Sequence, residues 1–221
     1  MKKKLWVLII VVLCLGITGI IIYNNRPVKE VVISGSIAHL TQEELILNSD
    51  LIITGTVTKI NESQWRHLGN DKDGWVTVLQ TDIEIKIDEK IFGEYDSDIA
   101  VVRVDKGYDK KTRTRYISDG FPDFYEGESV LMFLSRDDGI MNTGENYFLP
   151  TGMIQGKWSF DKETEKIDND KTPENYSLEG KTIGEMKSEV KEQITKNPNY
   201  KEERALKREE TRKRNIELFG E

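Results

Sequence analysis

The stretch 79–88 constrains the fold most. Leu79, Thr81, Ile83, Ile85 and Ile87 alternate without a break with Gln80, Asp82, Glu84, Lys86 and Asp88. Side chains change face at every residue in a strand and recur every 3.6 residues in a helix, so this pattern gives a clean apolar face only to a strand. A half-apolar strand needs partners, and the chain supplies them. Leu51, Ile53, Gly55 and Val57 alternate with Ile52, Thr54, Thr56 and Thr58, which reads as another half-buried strand. Residues 99–104 form a third. Residues 129–134 are apolar on both faces, the mark of a central strand covered twice. Residues 147–149 and 153–160 supply one or two more, and Asp161-Lys162-Glu163-Thr164 turns the chain toward Lys166-Ile167.

Several short strands with no helices between them argue for a mainly β architecture, a small barrel or sandwich. The long strand can bend and serve both halves of a barrel, so the expected fold is a small, partly open, OB-like antiparallel barrel. An OB barrel places a helix between its third and fourth strands; here residues 105–128 read as loop. Two capping boxes mark helices: Thr41-Gln42-Glu43-Glu44 before a short one, and Thr182-Ile183-Gly184-Glu185 before a longer one. In the second, Ile183, Met186, Val190 and Ile194 make a narrow apolar stripe able to lie on the barrel. Asn197-Pro198 interrupts it. Residues 199–221 hold seven Lys/Arg and six Asp/Glu, the composition of a solvated helix or frayed tail.

The N-terminus sets location. Met1-Lys2-Lys3-Lys4 precedes an unbroken apolar run of 18 residues, 5–22, with Trp6 near one end and Tyr23 past the other. As a helix the run spans about 27 Å, close to the hydrocarbon thickness of a bilayer. The lysines stay cytoplasmic by the positive-inside rule, and the two aromatics suit the interfacial belts. A cleaved signal peptide is the competing assignment, but its apolar core is shorter, and Asn24-Asn25-Arg26-Pro27 offers no small-x-small site. The expected organisation is a transmembrane signal-anchor at 1–23, a tether at 24–40 with an edge strand at Val31-Val32-Ile33, a β-barrel ectodomain at 41–168 and a charged helical extension at 169–221. The protein is then single-pass in the cell membrane, with its C-terminal domain extracytoplasmic.

The net charge is −7, and −10 without the three N-terminal lysines, which argues against nucleic acid as a partner. Cys14 is the single cysteine and lies inside the apolar run, so the exported part has no disulfide.

Four pieces stand in order: Asn48-Ser49-Asp50-Leu51-Ile52-Ile53-Thr54-Gly55-Thr56-Val57; Ile87-Asp88-Glu89-Lys90-Ile91-Phe92-Gly93; Gly127-Glu128-Ser129-Val130-Leu131-Met132-Phe133-Leu134; and Gly152-Met153-Ile154-Gln155-Gly156-Lys157-Trp158. Together they resemble a loose group of secreted or membrane-tethered proteins of Gram-positive bacteria that share an SDLI-x-G-x-V … GE-x-V-L-x-FL … G-x-x-Q-G layout. The group is distantly similar to the netrin/TIMP-type OB barrels, binding and inhibitory modules stapled by disulfides that this chain lacks. The resemblance implies an envelope location and a barrel, and it brings no catalytic residues with it.

Residue chemistry points the same way. Ser49-Asp50 reads as the cap of the short helix and the turn into the strand. Ser129 lacks the glycine two residues on that a nucleophile elbow needs. His39 and His67 have no Cys, Asp or Glu at ligand spacing, so no metal or cofactor is expected. Asp71-Lys72-Asp73-Gly74 lacks the flanking acids of a calcium loop and reads as a turn. Trp65 and Trp75 flank that turn and could stack on a ligand or close the core. Lys106, Lys110, Lys111, Arg113 and Arg115, interleaved with Tyr108 and Tyr116, make a local basic-aromatic patch on an acidic protein. Such a patch suits an anionic wall polymer, lipid phosphates or an acidic protein partner. The expectation is a non-catalytic binding or interaction module of the cell envelope, its ligand-binding residues in this patch and at the two tryptophans. The alternatives are a hydrolase working with carboxylates alone, among Asp119, Asp123, Glu126 and Glu128, or a spacer or assembly factor acting through its C-terminal helix.

Overall fold

The computed structural model describes residues 27–35, 37–68, 76–137, 146–168 and 180–219. The apolar run at the N-terminus, the turn at 69–74 and Trp75 lie outside these residues. No helix among the described residues is long and apolar enough to cross a membrane.

The strands are β1 (Lys29–Ile33), β2 (Leu51–Ile60), β3 (Gln64–Leu68), β4 (Val76–Phe92), β5 (Ile99–Val104), β6 (Gly107–Asp109), β7 (Thr114–Ser118), β8 (Ser129–Arg136), β9 (Phe148–Pro150), β10 (Lys157–Phe160) and β11 (Ile167–Asp168). The helices are α1 (Gln42–Leu47), α2 (Ile183–Lys196) and α3 (Tyr200–Phe219). The protein is mainly β. β2, β4, β5, β9 and β8 pair in that order, and β8 returns to β2, which closes a five-stranded barrel. Every pairing in the ring is antiparallel except β5 with β9.

The alternation at 79–88 does what its period requires. Ile83 and Ile85 point into the barrel with Leu51, Ile53, Val57, Ala100, Val102, Val130, Met132, Leu134 and Phe148, all buried. β4 is 17 residues long and serves both β2 and β5, so it must bend. The bend shows as three register shifts against β2. Gly55 sits at the closest approach: a Cβ there would lie 2.6 Å from both Ile85 Cγ2 and the Lys86 carbonyl oxygen, so no larger residue fits.

A second apolar layer covers the outside of β2 and β8. Ile52, Leu131, Phe133 and Trp158 face outward and are capped by Leu45 and Ile46 of α1 and by Ile183, Met186 and Val190 of α2. β8 is therefore buried on both faces, as its composition implied. β2 differs from the sequence expectation of a half-buried strand: from Leu51 to Gly55 it too is buried on both faces, because α1 and α2 pack over Ile52. Both capping boxes form, with Thr41 and Thr182 each accepting from the backbone of the glutamate three residues on.

One other expectation is corrected. Residues 105–128 are not a plain loop. β6 and β7 form a hairpin there, and β1 joins it in parallel, with Lys29 opposite Thr114 and Ile33 opposite Ser118. The strands are short and the polar Lys110-Lys111-Thr112-Arg113 turn separates them, so their alternation hardly registers in the sequence. The segment after β1 is held as well: Gln155 accepts from the Leu40 amide (2.9 Å) and donates to the Ala38 carbonyl (3.0 Å).

Candidate ligand cavity at the barrel end

Between the barrel and the β1–β7–β6 sheet lies a cavity of about 610 Å³. Its floor is apolar: Ile83 and Val104 of the barrel core, with Phe124 beside them. Ile60 and Ile117 extend that surface. A hydroxyl pair fixes one wall. Thr81 Oγ1 donates to the Lys106 carbonyl (2.6 Å), and Ser63 Oγ, 2.8 Å from Thr81 Oγ1, accepts from the Tyr108 amide (2.9 Å). Gly107 is required between them, since a Cβ would fall 2.1 Å from Ser63 Oγ. Barrel strand β4, through Thr81, and the β2–β3 connection, through Ser63, thereby hold the start of β6 directly.

The basic-aromatic patch divides around this cavity. Lys106, Tyr108, Lys110, Arg115 and Tyr116 line it. Lys106 is largely buried and ties the wall together, donating to the Phe121 carbonyl (3.0 Å) and pairing with Asp123 at 2.6 Å. Lys110 pairs with Glu62 at 3.0 Å and Arg115 with Glu30 at 3.8 Å, all four side chains more than half exposed. The patch is thus of mixed charge, because acids from β1 and the β2–β3 connection enter it, which the sequence interval 106–116 did not contain. Lys111 and Arg113 sit in the β6–β7 turn, outside the lining, with Arg113 at φ 53° and its carbonyl accepting from the Lys29 amide. Trp65 stands at the edge, half exposed, in edge-to-face contact with Tyr116 at 5.1 Å between centroids. Asp109 organises the turn: bonds from the Thr112 hydroxyl and the Lys111 amide hold its carboxyl below the ordinary range. Ser63, Thr81, Val104 and Phe124 carry no signal of this role in the sequence. Each reads there as an ordinary strand or loop residue.

The four acids considered for hydrolysis each have a separate partner. Asp119 accepts from the Ser34 hydroxyl, Asp123 pairs with Lys106, Glu126 accepts from the Ile60 amide, and Glu128 pairs with buried Lys157 at 2.6 Å. Among the described residues, no three of His, Cys, Asp or Glu are gathered as metal ligands would be.

A polar ladder crosses the outer face of β3, β4 and β5. Asp82 receives Arg103 at 2.6 Å and Arg66 at 2.8 Å, and Arg103 lies 3.8 Å from the centroid of Tyr147. Burial raises the Asp82 pKa, but the two guanidiniums outweigh it and hold the carboxyl low. Beside it, burial pushes Asp105 up despite a 2.7 Å bond from Gln80. Burial and Asp137 likewise push the Tyr147 phenol up.

Residues of the four ordered sequence pieces hold parts of the fold together. Ser49 Oγ donates to the Leu45 carbonyl (2.8 Å) at the end of α1, as its expected capping role requires. Asp50 reaches further: its carboxylate accepts from the Arg136 amide (2.7 Å) and pairs with Arg204 (2.8 Å) and Arg208 (2.9 Å) of α3. Gly93 has φ 88°, and a Cβ there would lie 2.2 Å from the Asp50 carbonyl oxygen. Gln155 straps residues 38–40 to the barrel. No protein family matches the chain, and no curated protein does.

Proposed function

We propose that this chain is a non-catalytic binding module of the cell envelope, built on an OB-like barrel and held at the membrane by residues 1–23. The cavity carries the reading: about 610 Å³, within the usual range for small-ligand sites, with an apolar floor, a few convergent polar groups and a mouth of exposed charges. The separate engagement of the four acids favours binding over hydrolysis. Ring order and direction support the OB-like assignment: numbered along the chain, the five barrel strands run first, second, third, fifth, fourth and back to the first, with the third and fifth parallel. The β6–β7 hairpin occupies the connection where an OB barrel usually carries a helix, and β1 joins it from the N-terminal side.

The test is retention of the full-length protein, its N-terminal segment already seated in zwitterionic nanodiscs, on immobilised wall polymer or anionic vesicles. The double variant K110Q/R115Q should be retained several-fold less than wild type at low salt, and the difference should shrink as salt rises, because exposed charges are screened. Equal retention of both proteins at low salt overturns the reading.

A further inference from the structure

We propose that the cavity takes a membrane amphiphile: a molecule with an apolar body and a single anionic head group, drawn from the adjoining lipid leaflet. This rests on the binding-module reading and names the ligand class of the same site. Three observations favour an amphiphile over a polar ligand.

The first is the division of the cavity. Its floor is made of Ile83, Val104 and Phe124, all buried members of the barrel core, so the base of the cavity is apolar. A sugar or a polyanion would leave its hydroxyls or charges unpaired against that floor, whereas an alkyl or ring body would not.

The second is charge. The ionisable lining comprises three cations, Lys106, Lys110 and Arg115, and two carboxylates, Glu62 and Asp123, besides the tyrosines. Lys106, largely buried, is paired with the exposed carboxylate of Asp123. At the mouth, Lys110 and Arg115 hold their acids through exposed pairs, the second at 3.8 Å, and such pairs contribute little to stability. An anionic head can displace Glu62 or Glu30 and leave the acid in water.

The third is reach. The wall that supplies Arg115, Tyr116 and Ile117 is β7, and β7 is hydrogen-bonded in register to β1. β1 begins six residues after Tyr23. Even fully extended, that connection spans only about 20 Å. If residues 5–22 cross the bilayer, the strand holding the cavity wall is therefore kept close to the lipid head groups.

The experiment uses the full-length protein in nanodiscs of zwitterionic phospholipid, titrated with a dansyl-labelled fatty acid and with the matching dansyl-labelled fatty alcohol. Wild type should raise the dansyl emission at a 1:1 stoichiometry and bind the acid at least tenfold more tightly than the alcohol. K110Q/R115Q should lose most of that preference while still binding the alcohol. Ile117→Trp, which fills the cavity from a partly exposed position, should weaken both probes more than tenfold with an unchanged thermal midpoint. Thr81→Val gives a second way to disturb the lining if that variant fails to fold, and should weaken both probes. Equal affinity for acid and alcohol in wild type, or binding indifferent to both lining variants, overturns the proposal. Binding of poly(glycerol phosphate) without binding of the fatty acid overturns the amphiphile but leaves the cavity a binding site. If neither probe binds and neither wall polymer nor anionic vesicles retain the protein, both readings fall.

Discussion

Asp50 connects more of this molecule than its place in a turn suggests. One carboxylate joins the end of β8, through the Arg136 amide, to two arginines of α3. Burial raises its pKa, but the Arg136 bond and the two guanidiniums outweigh that and leave it lowered. A lowered folded-state pKa contributes stability that is present above the unfolded value near 4 and is lost as pH falls through the folded value. Wild type should therefore lose stability below about pH 4 more steeply than Asp50→Asn in urea titrations. At neutral pH the variant should be weaker by about 1–3 kcal/mol. Ile85 tests packing instead. It is fully buried in the barrel, and Ile85→Ala should cost about 2–5 kcal/mol. A cost below about half a kilocalorie would move Ile85 to the surface and break the register of β4. Ile85 was legible because a period of two assigns it a face. The reach of Asp50 to Arg204 and Arg208 was not, because more than 150 residues separate them and no local pattern records such a pair.

Among elements, those with strong local signals appear in the structure where the sequence put them. β4, β8, α1 and α2 each carry a period or a capping box. Thr182 accepts from the Glu185 amide while the Glu185 side chain accepts from the Thr182 amide. Thr182→Ala should cost about 1 kcal/mol in a thermal or urea melt, since one amide at the start of α2 loses its partner. That loss should reach the barrel, because Ile183, Met186 and Val190 of the same helix cover Ile52 and Phe133. β6, β7 and the cavity they wall were legible only as a cluster of residue types. Their strands are short, and their main partners come from β1, Ser63 and Thr81, distant in the chain. Lys106, Tyr108, Lys110, Arg115 and Tyr116 are therefore visible in the sequence, but the floor beneath them and the acids among them are not.

For the whole molecule, the order of attachment along the chain matters. Residues 1–23 come first, β1 follows within a few residues, and every barrel strand comes later. Protease added to intact protoplasts should digest the barrel and α3 while a membrane-embedded N-terminal fragment beginning at Met1 survives. Recovery of a soluble form that begins after Ser36 would overturn the anchor. Trimming of the full chain from the C-terminus should begin within α3 beyond Arg208, the last residue paired with Asp50.

Ring closure also sets a schedule for folding. β2 finds β8 only when residues 129–136 are available, and the gap between β5 and β8 is filled by β9, three residues ending at Pro150. No hoop can close before that proline has emerged from whatever pore delivers the chain. Until then the two half-built edges on either side of the gap hold apolar faces open to solvent. Pairings so distant in sequence are slow to form, on the order of milliseconds to seconds for β topologies. A chain halted at about residue 120 would be a sticky, unclosed sheet and prey to proteases.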